Sequence, residues 1–136
     1  MISRLVLVIV IFGSTAFADD PKAQVLKCFS DYLAKFSSNE KNHDLSEIKK
    51  RCLTKEFLAR WHKIVQSTEA DPLLLAQDYE PSWKTNVDIE LLGSSAAKLV
   101  LGTNSEKYCL IVGLKKVSSG ILISSSKRCS GENPSK

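Results

Sequence analysis

At Thr85 the hydrophobic period of this chain changes from about 3.6 residues to 2, so one domain has to join a helical half to a half made of strands. Before that point, Asp20-Pro21 is a helix start, an N-cap acceptor followed by proline at the first helical position. Val25, Leu26, Phe29, Tyr32, Leu33 and Phe36 then form an apolar stripe at helical spacing, and Ser37-Ser38-Asn39 ends it. Asp44 opens a second helix, with Glu47 placed as in a capping box and Leu45, Ile48 and Cys52 on one face. Thr54 offers a further N-cap, at which this segment can break in two. Phe57, Leu58, Trp61, Ile64 and Val65 carry the apolar face on to about Gln66. Asp71-Pro72 repeats the starting device, and Leu73 to Gln77 reads as one or two helical turns. Tyr79, Pro81 and Trp83 make an aromatic connection into the second half.

In that second half Val87, Ile89 and Leu91 alternate with Asp88 and Glu90, which marks a strand with one wet face. Gly93-Ser94-Ser95 turns the chain into a strand carrying Ala97, Leu99 and Leu101, and Gly102-Thr103-Asn104 turns it again. Tyr108–Val117 and Ile121–Cys129 are two more strands, joined by a three-residue loop Ser118-Ser119-Gly120 with glycine where a left-handed residue is needed. Residues 130–136 read as a frayed tail. Helices first and a four-stranded antiparallel meander second predict an α+β domain, its helices packed on one face of a curved sheet. Neither a repeat nor a long linker divides it.

Cys28, Cys52, Cys109 and Cys129 allow three pairings. Pairing the last two strands about residue 119 sets Val117 opposite Ile121 and Cys109 opposite Cys129. That register favours Cys109–Cys129 and leaves Cys28–Cys52, which would staple two helices side by side. Zinc fits poorly, because no Cys-x-x-Cys is present and His43 and His62 stand apart from any cysteine pair.

The start of the chain bears on the same question. Arg4, the apolar run Leu5–Phe12 and the small-residue site Ala16-Phe17-Ala18 read as an export signal cleaved after Ala18, the run being too short to span a bilayer. Residues 19–136 would then be the mature domain, in an oxidising compartment where structural disulfides persist. With no Asn-x-Ser/Thr acceptor in the chain, the bacterial periplasm is the expected location.

Several function classes fall away. Removing Arg4 from the count leaves 18 Lys/Arg against 15 Asp/Glu, a net charge of +3 with both signs mixed along the chain. Nucleic-acid binding calls for a basic stripe with interleaved aromatics, and none is visible. Gly-x-Ser-x-Gly, His-Glu-x-x-His and the P-loop are all absent, and nothing implies a metal or another cofactor.

The stretch Cys52-Leu53-Thr54-Lys55-Glu56-Phe57-Leu58, then Asp71-Pro72-Leu73-Leu74-Leu75-Ala76-Gln77-Asp78-Tyr79 and Ser82-Trp83, resembles the small exported Gram-negative proteins of the YbjP/YqhG-like family. The resemblance covers about residues 24–125. It implies an NTF2-like α+β cone in the cell envelope, and no chemistry.

In such a cone a carboxylate facing an apolar cavity, with a tyrosine as oxyanion donor, can be catalytic; the candidates are Asp88 or Glu90 with Tyr108. The alternation with Val87 and Ile89 puts both acids on the wet face instead, and His62, beside Trp61, reads as a surface histidine. No catalytic residue is therefore assigned. Tyr79 and Trp83 remain: either Trp83 plugs the open end of the sheet with Leu73–Leu75, or the two aromatics anchor a partner. Small size, export, disulfides and missing catalytic motifs predict a non-enzymatic binding protein with a protein partner in the periplasm. Its specific form would be an immunity or inhibitor protein that blocks a periplasm-acting toxin or cell-wall hydrolase sterically. The competing expectation is a small-molecule-binding or weakly catalytic site inside the cone, which requires an enclosed apolar pocket.

Overall fold

A computed structural model describes residues 20–36, 45–77, 80–103 and 107–129. They form helices α1 (Pro21–Phe36), α2 (Ser46–Cys52) and α3 (Lys55–Thr68), a short 3-10 turn (Pro81–Lys84), and strands β1 (Val87–Leu91), β2 (Ala96–Leu101), β3 (Tyr108–Val117) and β4 (Gly120–Arg128). The export signal, Asp44, His43, Tyr79 and the tail lie outside the described residues. No helix among those described is long and apolar enough to cross a membrane.

Local chemistry sets the helix boundaries. Asp20 Oδ1 accepts the Lys22 and Ala23 backbone N–H groups at 3.0 and 3.4 Å, and Pro21 has no N–H to leave unpaired. Along α1, Val25, Phe29, Tyr32 and Leu33 are buried; Leu26, expected on the same stripe, is 39 % exposed. The chain does break at Thr54, whose Oγ1 accepts from the Phe57 N–H at 3.1 Å to start α3. At the break, Leu53 turns extended and bridges in parallel to Ile123, and the Thr54 N–H donates to the Ile123 carbonyl at 3.0 Å. The interruption between two helices thus caps the outer edge of β4, a role that helical spacing does not reveal. Helix α3 ends at Thr68, two residues past the expected Gln66, and its cap Glu69 is held left-handed at φ 56°.

The strands form one antiparallel sheet in the order β1-β2-β3-β4. Ala97, Leu99 and Leu101 of β2, and Leu110, Val112 and Leu114 of β3, are buried against the helices, together with Ile89 and Ile123. From the other side come Val25, Phe29, Tyr32 and Leu33, then Leu53 and Phe57, and finally Leu73, Leu74 and Trp83. Each fully buried large side chain of this set contributes about 1.5–3 kcal/mol of transfer free energy, which makes the helix–sheet seam the main source of stability.

The β3–β4 hairpin corrects the expected turn. Only Ser118 and Ser119 lie between the strands, so Val117 pairs with Gly120 and Lys116 with Ile121, one residue out of the expected register. Between Gly113 and Leu114 the register shifts: Leu114 still faces Ile123, while Gly113 faces Ser125. Ser124 is the extra residue of a β-bulge, and it restores beyond Gly113 the register that sets Cys109 beside Cys129. Disulfides join Cys28 to Cys52 and Cys109 to Cys129, with Cα–Cα distances of 5.8 and 5.5 Å. The first ties α1 to the end of α2; the second closes the far end of the hairpin.

Candidate functional site

Residues 71–77 close the open end of the sheet. Asp71 Oδ1 accepts the Leu73 and Leu74 N–H groups at 2.9 and 2.8 Å, while Oδ2 accepts the hydroxyl of Tyr32. The result is a single turn, the lesser of the one or two expected, and Leu75 at φ 54° stops it. Two more side chains hold the turn from the sheet: Tyr108 donates to the Leu75 carbonyl and Ser126 to that of Leu73, both at 2.7 Å. Burial pushes the Asp71 carboxyl above the usual range, against the lowering effect of its three donors and of Lys49. Burial, then the charge of Asp71, pushes the Tyr32 phenol far above its ordinary value, so Tyr32 is a donor throughout the physiological range.

Trp83 is the middle of this closure and not a surface anchor. Only 4 % exposed, its ring stacks on Tyr108 with centroids 4.9 Å apart, and the Arg128 guanidinium lies 5.0 Å from the Tyr108 centroid. Trp83, read from the sequence as either plug or partner anchor, thus lies in the plug, and Tyr79 is outside the described residues.

The acid–tyrosine arrangement is not assembled either. Tyr108 pairs with Leu101, which pairs with Val87, so these three share the helix-facing side; Asp88 and Glu90 are exposed on the other. Tyr108 is engaged with Leu75. His62 is exposed on α3. Among the described residues no group of three or more His, Cys, Asp or Glu stands close enough to hold a metal ion. Phe29, Leu73 and Leu74, each at most 2 % exposed, fill the space between helices and sheet where a ligand cavity was the alternative.

What remains is surface relief. A groove of about 250 Å³ runs beside Trp61 and Val65, with the Lys49 ammonium 4.3 Å from the Trp61 ring centroid and Glu69 and Asp71 also in its lining. At the opposite end, two cavities of about 520 and 220 Å³ meet at Ile121. The larger lies between the N-terminus of α1, the β1–β2 turn and the end of the β3–β4 hairpin; the smaller lies beside the Cys28–Cys52 bridge. Leu91 and Leu92, at the end of β1, are 38 and 41 % exposed. Sequence reasoning missed this region. Its signal was there in Leu91-Leu92 directly before a turn and in Lys115-Lys116 at a hairpin end, but each pair alone reads as ordinary strand.

No protein-family model and no curated protein matches the chain. Two solved structures share its fold. One is a protein of unknown function from Bacteroides thetaiotaomicron, 21 % identical, with a TM-score of 0.69 over 84 % of this chain and 93 % of the other. The second is a chain of the type VI native effector–immunity complex Tae3–Tai3 from Ralstonia pickettii, 17 % identical, with a TM-score of 0.68 over 85 % of this chain and 99 % of the other.

Proposed function

We propose that this protein is an exported, non-enzymatic immunity protein that neutralises a periplasm-acting toxin by covering its active cleft. The observation that carries the reading is the likeness, over nearly the whole of both chains, to a member of an effector–immunity complex. Two features support it from within the molecule. The interior is filled by side chains instead of a ligand, which leaves function to the outer surface. The two disulfides fix that surface before any partner arrives, and so lower the ordering cost of binding. They also suit the periplasm, to which the export signal would send the chain. Three helices against one side of a four-stranded sheet likewise support the NTF2-like assignment that the family resemblance implied.

The test is a co-culture of a strain lacking the gene with its parent, on a solid surface and in dilute liquid. Killing of the deletion strain on the surface, rescued by the protein with its leader and not without it, is the expected result. Equal survival in both settings overturns the reading.

A further inference from the structure

We propose that the two cavities meeting at Ile121 form one docking groove, and that its occupant is a protein loop with an apolar tip flanked by carboxylates. This rests on the immunity reading and assigns it a face.

The two cavities share an apolar lining residue. Ile121 lines both, with Leu91 and Leu114 beside it in the larger and Leu122 in the smaller. The adjoining Leu92 and Leu91 hold their side chains partly in water, which an occupant would relieve. All the ionisable side chains lining the two cavities are cations: Lys115 and Lys116 at the larger, Lys27 and Arg51 at the smaller. Asp31 binds both Lys27 and Arg51, at 3.3 and 2.6 Å, and Glu56 lies in the field of Lys115, so part of this charge is offset from outside the groove. A net positive rim remains. Apolar floor with cationic rim is the complement of an apolar tip with anionic flanks, and such rims act chiefly on encounter rate and partner choice.

The groove is also held rigid. Gln24 Oε1 accepts the Ile121 N–H at 2.7 Å, pinning the hairpin to α1, and the Cys28–Cys52 bridge lies beneath the smaller cavity. A concave floor cannot be laid on a flat bilayer, which separates this surface from a lipid-binding one despite its charge. The Trp61 groove offers no such choice of partner, because Lys49, Glu69 and Asp71 mix the signs along it.

The experiment uses the deletion strain, making leader-bearing variants at equal periplasmic amounts, against the parent as attacker. Lys115→Glu/Lys116→Glu reverses the rim, and Leu91→Glu places a charge on the floor. Lys63→Glu/Lys84→Glu makes the same charge change at exposed sites elsewhere. Wild type and the control pair should protect, while both groove variants lose protection by about tenfold or more in surviving cells, with unchanged urea midpoints. Groove variants that protect as wild type does would overturn the groove and leave the immunity reading standing. A wild type that fails to protect would overturn both. Purified protein is also sedimented with phosphatidylethanolamine/phosphatidylglycerol vesicles; binding abolished by Lys115→Glu/Lys116→Glu would assign the groove to lipid and overturn the protein loop.

Discussion

The hydroxyl of Tyr32 in α1 donates to the carboxylate of Asp71, 39 residues further along the chain, and this contact ties the first helix to the turn that closes the sheet. Asp71 in turn caps Leu73 and Leu74, so one carboxylate orients two fully buried leucines. Tyr32→Phe leaves one buried acceptor position without its donor, and Asp71→Ala removes the cap and the acceptor together. The first should cost about 1–3 kcal/mol and the second at least as much, read from urea unfolding.

The same pair sets two pH responses. Tyr32 has its pKa raised in the folded state, so its contribution is complete below the unfolded value near 10 and is lost as pH rises beyond it. The urea midpoint should fall above about pH 10, and less steeply in Tyr32→Phe. Asp71 is also raised, by burial first; its ionisation therefore weakens the fold as pH climbs through the raised value. Asp71→Asn should remove this loss, so that stability rises more steeply with pH across the acid range than in wild type. A slope unchanged in both variants would show that neither group is shifted.

Each disulfide closes a loop of some twenty residues, a separation of 24 for Cys28–Cys52 and 20 for Cys109–Cys129. Cys28→Ala/Cys52→Ala should lower stability by about 3 kcal/mol on the chain-entropy account. Adding reductant to wild type should exceed that loss, because it opens both loops. Denaturant titrations with and without reductant measure the difference.

Gly120 sits at φ 141°, and a Cβ there would collide with the Gln24 carboxamide that accepts from Ile121. Gly120→Ala should cost about 1–3 kcal/mol, from backbone strain together with loss of the pin. Gln24→Ala in the same background should then add little, since the contact is already broken; non-additive urea midpoints are the signature.

The two tryptophans should separate cleanly in solution. Trp83 is enclosed and Trp61 is partly exposed beneath Lys49. Trp61→Phe should leave a protein whose remaining fluorescence acrylamide quenches weakly, whereas Trp83→Phe should leave a readily quenched one. The second variant should also lose more stability, because Trp83 stacks on Tyr108 within the closure.

Periodicity made the architecture legible. The α1 stripe, the break at Thr54, the alternation of β1 and β2 and the bounds of β3 are local patterns, and local patterns follow from 3.6- and 2-residue repeats. The Cys109–Cys129 bridge is a more instructive case. Its register was right although the turn was not: the hairpin is one residue shorter than the loop read from Ser118-Ser119-Gly120, and the bulge at Ser124 makes up the difference. A twofold repeat says which residues share a face but does not count the residues in a turn.

Element order, the α+β class and the favoured cysteine pairing are legible in the chain because they depend on spacing along it. Which apolar residues are covered depends instead on how distant segments pack together. Leu26, Val65 and Leu91 continue their stripes yet stay exposed, whereas Trp83 in an irregular connection is enclosed. Packing also gathers Leu91, Lys115, Ile121 and Lys27, from four separate elements, about two cavities that share Ile121. Burial and charge complementarity belong to surfaces that distant segments make together, and their physical origin is which neighbour excludes water, a property that no window of sequence contains.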